Sequence, residues 1–233
     1  MKTILRPSGE QYFLKDALRD LLVVVVGILA ALYLESWWED RQDRTEEALL
    51  LEGLRAEFII NRSQLVRVMS AWSGVADGSK RALQLMGKPM SEGGPEVIVQ
   101  IFQSTFGIRF FDPRTGQLNS LMNSGKLGLI ENADLRARIA DWPSLVDDLG
   151  VERQAAMHAL LVSFGPRLGE FIPGGARGAP FDDRIEELLA DRIIYNDLTT
   201  MVGNMRRSNA EGEVILRATD EIVALIDSEL ENQ

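Results

Sequence analysis

Residues 19–41 read RDLLVVVVGILAALYLESWWEDR. Inside this stretch Leu21 to Leu34 run for fourteen residues without a charge. A helix cannot turn such a run to one side, because its apolar residues cover every direction around the axis. Fourteen residues fall short of the roughly 17–25 that cross a bilayer. The flanks lengthen the run: Leu18 to Trp38 is 21 residues, with Arg19, Asp20, Glu35 and Ser36 confined to its ends. At ~1.5 Å per residue that helix is about 30 Å long, the thickness of the hydrocarbon layer. Arg19 can snorkel to the head groups. Trp37 and Trp38 stand where an interfacial aromatic belt belongs. The expectation is an uncleaved transmembrane helix over residues 18–38, with the lipid bilayer as its first partner. Residues 1–17 then form a short cytoplasmic segment and residues 39–233 a helical domain outside the membrane.

Two other readings compete. A cleaved signal peptide would suit Lys2, Arg6, Lys15 and Arg19, but Asp16 and Asp20 interrupt that basic region. No small-x-small cleavage site follows Leu34. The third reading is a buried core helix. Orientation follows from basic residues: the N-terminal flank carries four (Lys2, Arg6, Lys15 and Arg19), and Arg41, Arg44 and Arg55 lie in the twenty residues after Trp38. That bias favours a cytoplasmic N-terminus. The expected location is a bacterial inner membrane, single-pass, with a periplasmic C-terminal domain.

Composition narrows the chemistry. The 233 residues carry a net charge of −10. Residues 39–233 hold 21 of the 25 basic and 31 of the 35 acidic side chains. Such a domain repels phosphate backbones, so no nucleic acid is expected as a partner. There is no Cys and one His, His158. Disulfides, thiolate chemistry and His-cluster metal sites are excluded.

Beyond the span no Pro or turn cluster interrupts Glu39 to Trp72, and Gly53 is its only glycine. Leu51, Leu54, Phe58, Leu65, Val68 and Trp72 recur in steps of 3, 4, 7, 3 and 4, with Asn61 in the vacant place. This is a heptad seam. Asn61 is either a register-setting polar residue of a coiled coil or an edge residue bonded locally. Gly74, Gly78, Gly87, Pro89, Gly93, Gly94 and Pro95 mark turns. Between them Ser79–Met86 reads as a separate short helix with Ser79 as its cap. Pro95 opens a helix through EVIVQIFQSTF. Phe110 to Gly116 is a turn, and Gln117–Asn123 a helix closed by Gly125. Asn132 or Asp134 starts a helix that Pro143 should kink or break. Helix resumes from Val151 to about Phe171. Residues 173–180 are a Gly/Pro loop. Asp182 or Asp183 starts the last helical section, which Gly203 or Gly212 could interrupt. The fold class is all-α: a transmembrane helix continuing into an antiparallel bundle of roughly four to six helices.

No constellation of catalytic or metal-binding residues stands out. Asp147-Asp148 with Glu152, and Asp182-Asp183 with Glu186-Glu187, read as solvated faces or helix starts. His158 lacks a Glu three residues earlier, as a ferritin-like site requires. Ser124 and Ser163 lack a nucleophile elbow. The loop Gly174–Gly178 could meet an anion through backbone amides and Arg177, but reads as a surface loop. Asn119, Asn123, Ser124, Lys126 and Asn132 are polar residues among apolar ones, suited to capping helices or lining a contact. No cofactor is expected, and no enzymatic role. Candidate interaction or register residues are Asn61, Asn119, Asn123 and Lys126.

Leu21–Arg41, an apolar Gly-Ile-Leu-containing span followed by Trp and a charged run, resembles a bacterial family of single-span membrane proteins of unknown function. Leu118–Leu135 is similar to that family's middle segment, where a Ser-Gly pair and a Leu-Ile-x-Asn-x-x-Leu pattern introduce a helix. Glu35 departs from the neutral amides usual at the span's end. The resemblance implies an anchor and a helical domain, and brings no activity. The functional expectation is a membrane-anchored interaction or scaffold protein, an accessory subunit with a membrane-protein partner or a second copy of itself. The alternative is a ligand-sensing bundle on the outer side of the membrane.

Overall fold

The computed structural model describes residues 10–89, 94–172 and 184–232. All regular structure among them is helical. The chain divides into two compact units, Met1–Leu49 and Leu50–Gln233. The first helix, α1 (Glu10–Leu85), belongs to both. The other helices lie in the second unit: α2 (Gly94–Gln103), α3 (Gly116–Ser124), α4 (Ala133–His158), α5 (Gly165–Gly169), α6 (Ile185–Ala190) and α7 (Arg192–Glu231). Single 3-10 turns follow α2 and α3, and a π-helical turn, Ala159–Phe164, joins α4 to α5.

The heptad seam forms one buried edge of the second unit. Leu51, Leu54, Phe58, Leu65, Val68 and Trp72 are buried, and so is Asn61. Two side-chain ladders set how the long helices align. Arg55 pairs with Asp227 and Arg62 with Asp220, so α1 and α7 run antiparallel, one heptad between rungs. Between α4 and α7, Asn132 donates to Glu229 at 2.8 Å, Arg138 pairs with Glu221, and the Trp142 indole donates to Thr219 at 3.0 Å. These too fix an antiparallel register. The ion pairs are about half exposed, so each adds at most ~1 kcal/mol and serves alignment more than stability. Burial supplies the stability. Trp142 is sealed in the centre, edge-on to Phe58 at 5.2 Å. Its N–H acceptor, the Thr219 hydroxyl, donates in turn to Ile215 O at 2.8 Å.

Several expectations need correcting. Gly74 and Gly78 do not end α1, and Ser79 is no cap; it is buried inside the helix. Gly78 serves close packing instead: a Cβ there would lie 2.3 Å from Ser104 Oγ and 3.2 Å from the Ser104 backbone carbon. The helix stops at Gly87, whose φ of +74° favours glycine. Pro143 neither breaks nor ends α4. It removes one backbone bond, and buried Leu135, Ile139, Trp142 and Leu149 on either side hold the helix together. Helix from Val151 to Phe171 is interrupted by the π turn. There the Gly165 N–H bonds to Leu160 O, and the wider turn makes room for Pro166, whose ring would crowd a normal α turn. A Cβ at Gly165 would sit 2.7 Å from Leu160 O, so the turn needs glycine. Gly203 and Gly212 leave α7 intact.

Other expectations hold. α2 starts beside Pro95 and buries Ile98, Val99 and Phe102. Gly125 closes α3 at φ +72°. Asn132 caps α4 by accepting from the Leu135 N–H at 3.0 Å. The loop at 173–180 and the start at Asp182-Asp183 fall outside the described residues.

The start of α7 passes unmarked in the periodicity. Asp191 caps it, accepting from the N–H groups of Ile193 (2.8 Å) and Ile194 (2.9 Å). Its other oxygen takes two bonds from Arg167. Burial pushes the Asp191 carboxyl upward. The Ile194 N–H, the Arg167 guanidinium and the Ile193 N–H outweigh it and hold the pKa below the ordinary carboxylate value.

Two stability tests follow from these contacts. Thr219→Val keeps shape but orphans the Trp142 N–H, and should lower unfolding free energy by about 1–3 kcal/mol in denaturant titrations. Trp142→Ala should cost about 3–5 kcal/mol. Because the folded-state pKa of Asp191 is depressed, its contribution is complete above the unfolded value of about 4. It fades as pH falls through the folded value. Asp191→Asn should flatten the acid limb of the stability–pH curve; an unchanged limb would count against this role.

Candidate functional site

Two features stand out as candidates, one in each unit. In the first, Leu21 to Leu34 is exposed throughout. Leu22 and Val23 are each 62 % exposed, and Trp37 and Trp38 are 51 % and 66 % exposed. Arg19 is exposed, and the Arg41 guanidinium lies 5.9 Å above the Trp37 ring. Among the described residues this is the one helix long and apolar enough to cross a membrane. Ten exposed Leu, Val and Ile side chains between Leu21 and Leu34, at about 1.5–3 kcal/mol each, forgo roughly 20 kcal/mol of burial. That exceeds the whole stability of a typical domain, about 5–15 kcal/mol. Water is a poor solvent for such a surface.

In the second unit the feature is a clasped strap. Between the 3-10 turn after α2 and the start of α3, residues 107–115 have no regular structure, so their backbone groups need other partners. Two seam-side residues of α1, Trp72 and Asn61, hold the strap at Arg109 and Arg114, and a third, Glu57, holds the start of α3 beyond it. The Trp72 indole donates to Arg109 O at 2.7 Å. Asn61 grips Arg114 from both sides: its Nδ2 donates to Arg114 O (2.7 Å) and its Oδ1 accepts from Arg114 N (2.8 Å). Glu57, only 9 % exposed, accepts from the Gln117 and Leu118 N–H groups at 2.8 and 3.0 Å. It therefore caps the first turn of α3 from another helix, where a negative charge also meets the positive end of the helix dipole.

Asn61 is buried, not at the bundle edge, and both polar atoms of its amide are engaged within the chain. The other named residues do not gather around it. Asn119 is exposed and donates to Thr115 Oγ1 at 3.0 Å. Asn123 and Lys126 are exposed. Ser124 donates to Leu121 O. Asp147 and Asp148 are exposed, while Glu152's side chain, Asp182-Asp183 and Gly174–Gly178 lie outside the described residues. His158 is exposed at the end of α4, and Ser163 donates to Asp197 at 2.7 Å. No group of three or more His, Asp or Glu side chains that could hold a metal occurs among the described residues.

Sequence reasoning missed Glu57 and the strap contact of Trp72. A signal existed for Glu57: it precedes Phe58 on the inward side of the seam, where a charge demands a partner. Beneath the strap lies a cleft of about 220 Å³ lined by Trp72, Phe110, Phe111, Asp112, Asp147 and Ser208, among others. A second, open groove of about 520 Å³ runs between α1 and α7 past Ser70, Ser73, Lys80, Arg206 and Asn209.

Comparison with known proteins gives no relative: no family model, no curated protein and no solved structure matches the chain.

Asn61→Ala should release Arg114. The expected result is a loss of hydrogen-exchange protection at the Arg114 amide and about 1–3 kcal/mol of stability. Sedimentation should be unchanged, since the amide serves the chain's own strap; a shift in oligomeric state would restore the zipper role.

Proposed function

We propose that the protein is a membrane-anchored helical interaction or scaffold protein, an accessory subunit that holds an acidic helical domain beside a larger membrane complex. One observation carries the reading: the apolar run Leu21–Leu34, exposed along its whole length, with Trp37 and Trp38 beyond it. A bilayer would cover that surface, and the aromatic pair would sit among the head groups. The span is 18–38, in a bacterial inner membrane, with the N-terminus inside and residues 39–233 in the periplasm. This reading agrees with the resemblance of Leu21–Arg41 and Leu118–Leu135 to single-span proteins. The partner is another membrane protein or a second copy of the chain.

Fractionation tests the anchor. The full-length chain should pellet with membranes and resist alkaline extraction. An unprocessed, monodisperse chain in the detergent-free supernatant would end the proposal. Because the chain has no Cys, Ser120→Cys gives a single reporter on an exposed site. A membrane-impermeant maleimide should label it from the periplasmic face, and labelling only from the cytoplasmic face would reverse the orientation. In mild detergent, purification at native expression should bring a stoichiometric partner or a defined oligomer. A lone monomer would remove the scaffold role.

A further inference from the structure

The cleft under the strap has the build of a small-molecule site. Its ~220 Å³ is somewhat more than the roughly 150 Å³ apolar cavity that accepts benzene. Three elements and the strap enclose it: α1 through Trp72, the strap through Phe110 to Pro113, α4 through Val146 to Gly150, and α7 through Met205 and Ser208. The strap wall is held in place, because Trp72 and Asn61 tie down the backbone at Arg109 and Arg114 on either side of it. A pre-set wall lowers the ordering cost of binding.

Its chemistry is selective. Trp72 and Phe111 are buried aromatic rings facing this space, 4 % and 6 % exposed. Ser208 is 4 % exposed and lines the cleft, so it presents a hydroxyl, able to donate or accept, to whatever occupies the space. Two exposed carboxylate residues, Asp112 and Asp147, line the same cleft, and among the described residues no Lys, Arg or His lines it. The field there favours a cation, as does the chain's net charge of −10.

We propose that this cleft binds a small organic amine about the size of phenethylamine. The apolar body lies against Trp72 and Phe111, and the ammonium group sits by Asp112 and Asp147. Aromatic faces attract cations as the carboxylates do, so both halves of the site select one kind of molecule. An anion would meet the two carboxylates Asp112 and Asp147. A neutral molecule of the same shape would gain only the apolar contact. The inference rests on the second unit alone and is independent of the anchor and scaffold proposals.

Met205 gives the test a local reporter. The full chain, held in mild detergent and labelled at its methionine methyls, is titrated with phenethylamine; the Met205 resonance is assigned through Met205→Leu. The Met205 signal should shift saturably, whereas partition of the amine into micelles would not single it out. 2-Phenylethanol, the uncharged analogue, should bind at least about tenfold more weakly. Asp112→Asn with Asp147→Asn, both exposed and safe for folding, should weaken the amine by about tenfold or more. Ser208→Leu, which fills the cleft, should abolish the shift. No Met205 response up to about 10 mM, equal binding of the alcohol, or an unaltered affinity in the Asp double variant would each overturn the proposal.

Discussion

A stretch of irregular backbone inside a helical protein must find hydrogen bonds somewhere, and in residues 107–115 the Arg109 carbonyl and both backbone groups of Arg114 find theirs on α1. Nine residues without a helix of their own run past Trp72, and Phe111 within them is buried. Unpaired backbone groups there would cost about as much as the apolar contacts gain. Asn61 and Trp72 answer part of this need from a single helix, and Glu57 on the same helix caps α3 just beyond the strap. Their contacts start α3, fix the strap and shape the cleft beneath it. The seam is therefore two things along one line: an apolar edge for α4 and α7, and a row of polar anchors for the strap.

Alignment of the three long helices depends on weaker contacts. The Arg55–Asp227 and Arg62–Asp220 pairs repeat after seven residues, so a slip of less than a full heptad would mismatch both. Close approach adds a steric limit. A Cβ at Gly212 would lie 3.0 Å from Met69 and 3.2 Å from Trp72. Small energies select the register, while buried residues such as Trp142 and Phe58 supply the stability once it is selected.

How much of this was legible depends on the kind of signal. Heptad spacing from Leu51 to Trp72 located a buried edge, because burial imposes periodicity directly. Helix ends with their own chemistry, Asn132 and Gly125, could also be read. Gly78 and Gly212 misled: glycine marks a turn or a close contact equally well, and only the neighbouring chain tells which. Pro143 misled for a related reason, since tertiary packing can hold a helix across one missing bond. Asn61 showed that a polar partner was needed, but its partner is a backbone 53 residues away, and no local pattern encodes that. Glu57 was hidden the same way. The exposed run at Leu21–Leu34 was the easiest feature to read, because solvent preference is written in composition.

The π turn at Ala159–Phe164 carries one more residue than an α turn would need. Each residue turns a helix by about 100°, so this surplus sets the rotational phase of everything up to Ile172. It leaves Leu161 and Val162 outward and brings Phe164, Leu168 and Phe171 to the interior. A single-residue deletion there would preserve helical hydrogen bonding yet swing the inward residues toward water. Length variation at that point would therefore act as a rotation, and homologues one residue shorter would need a different set of apolar positions downstream.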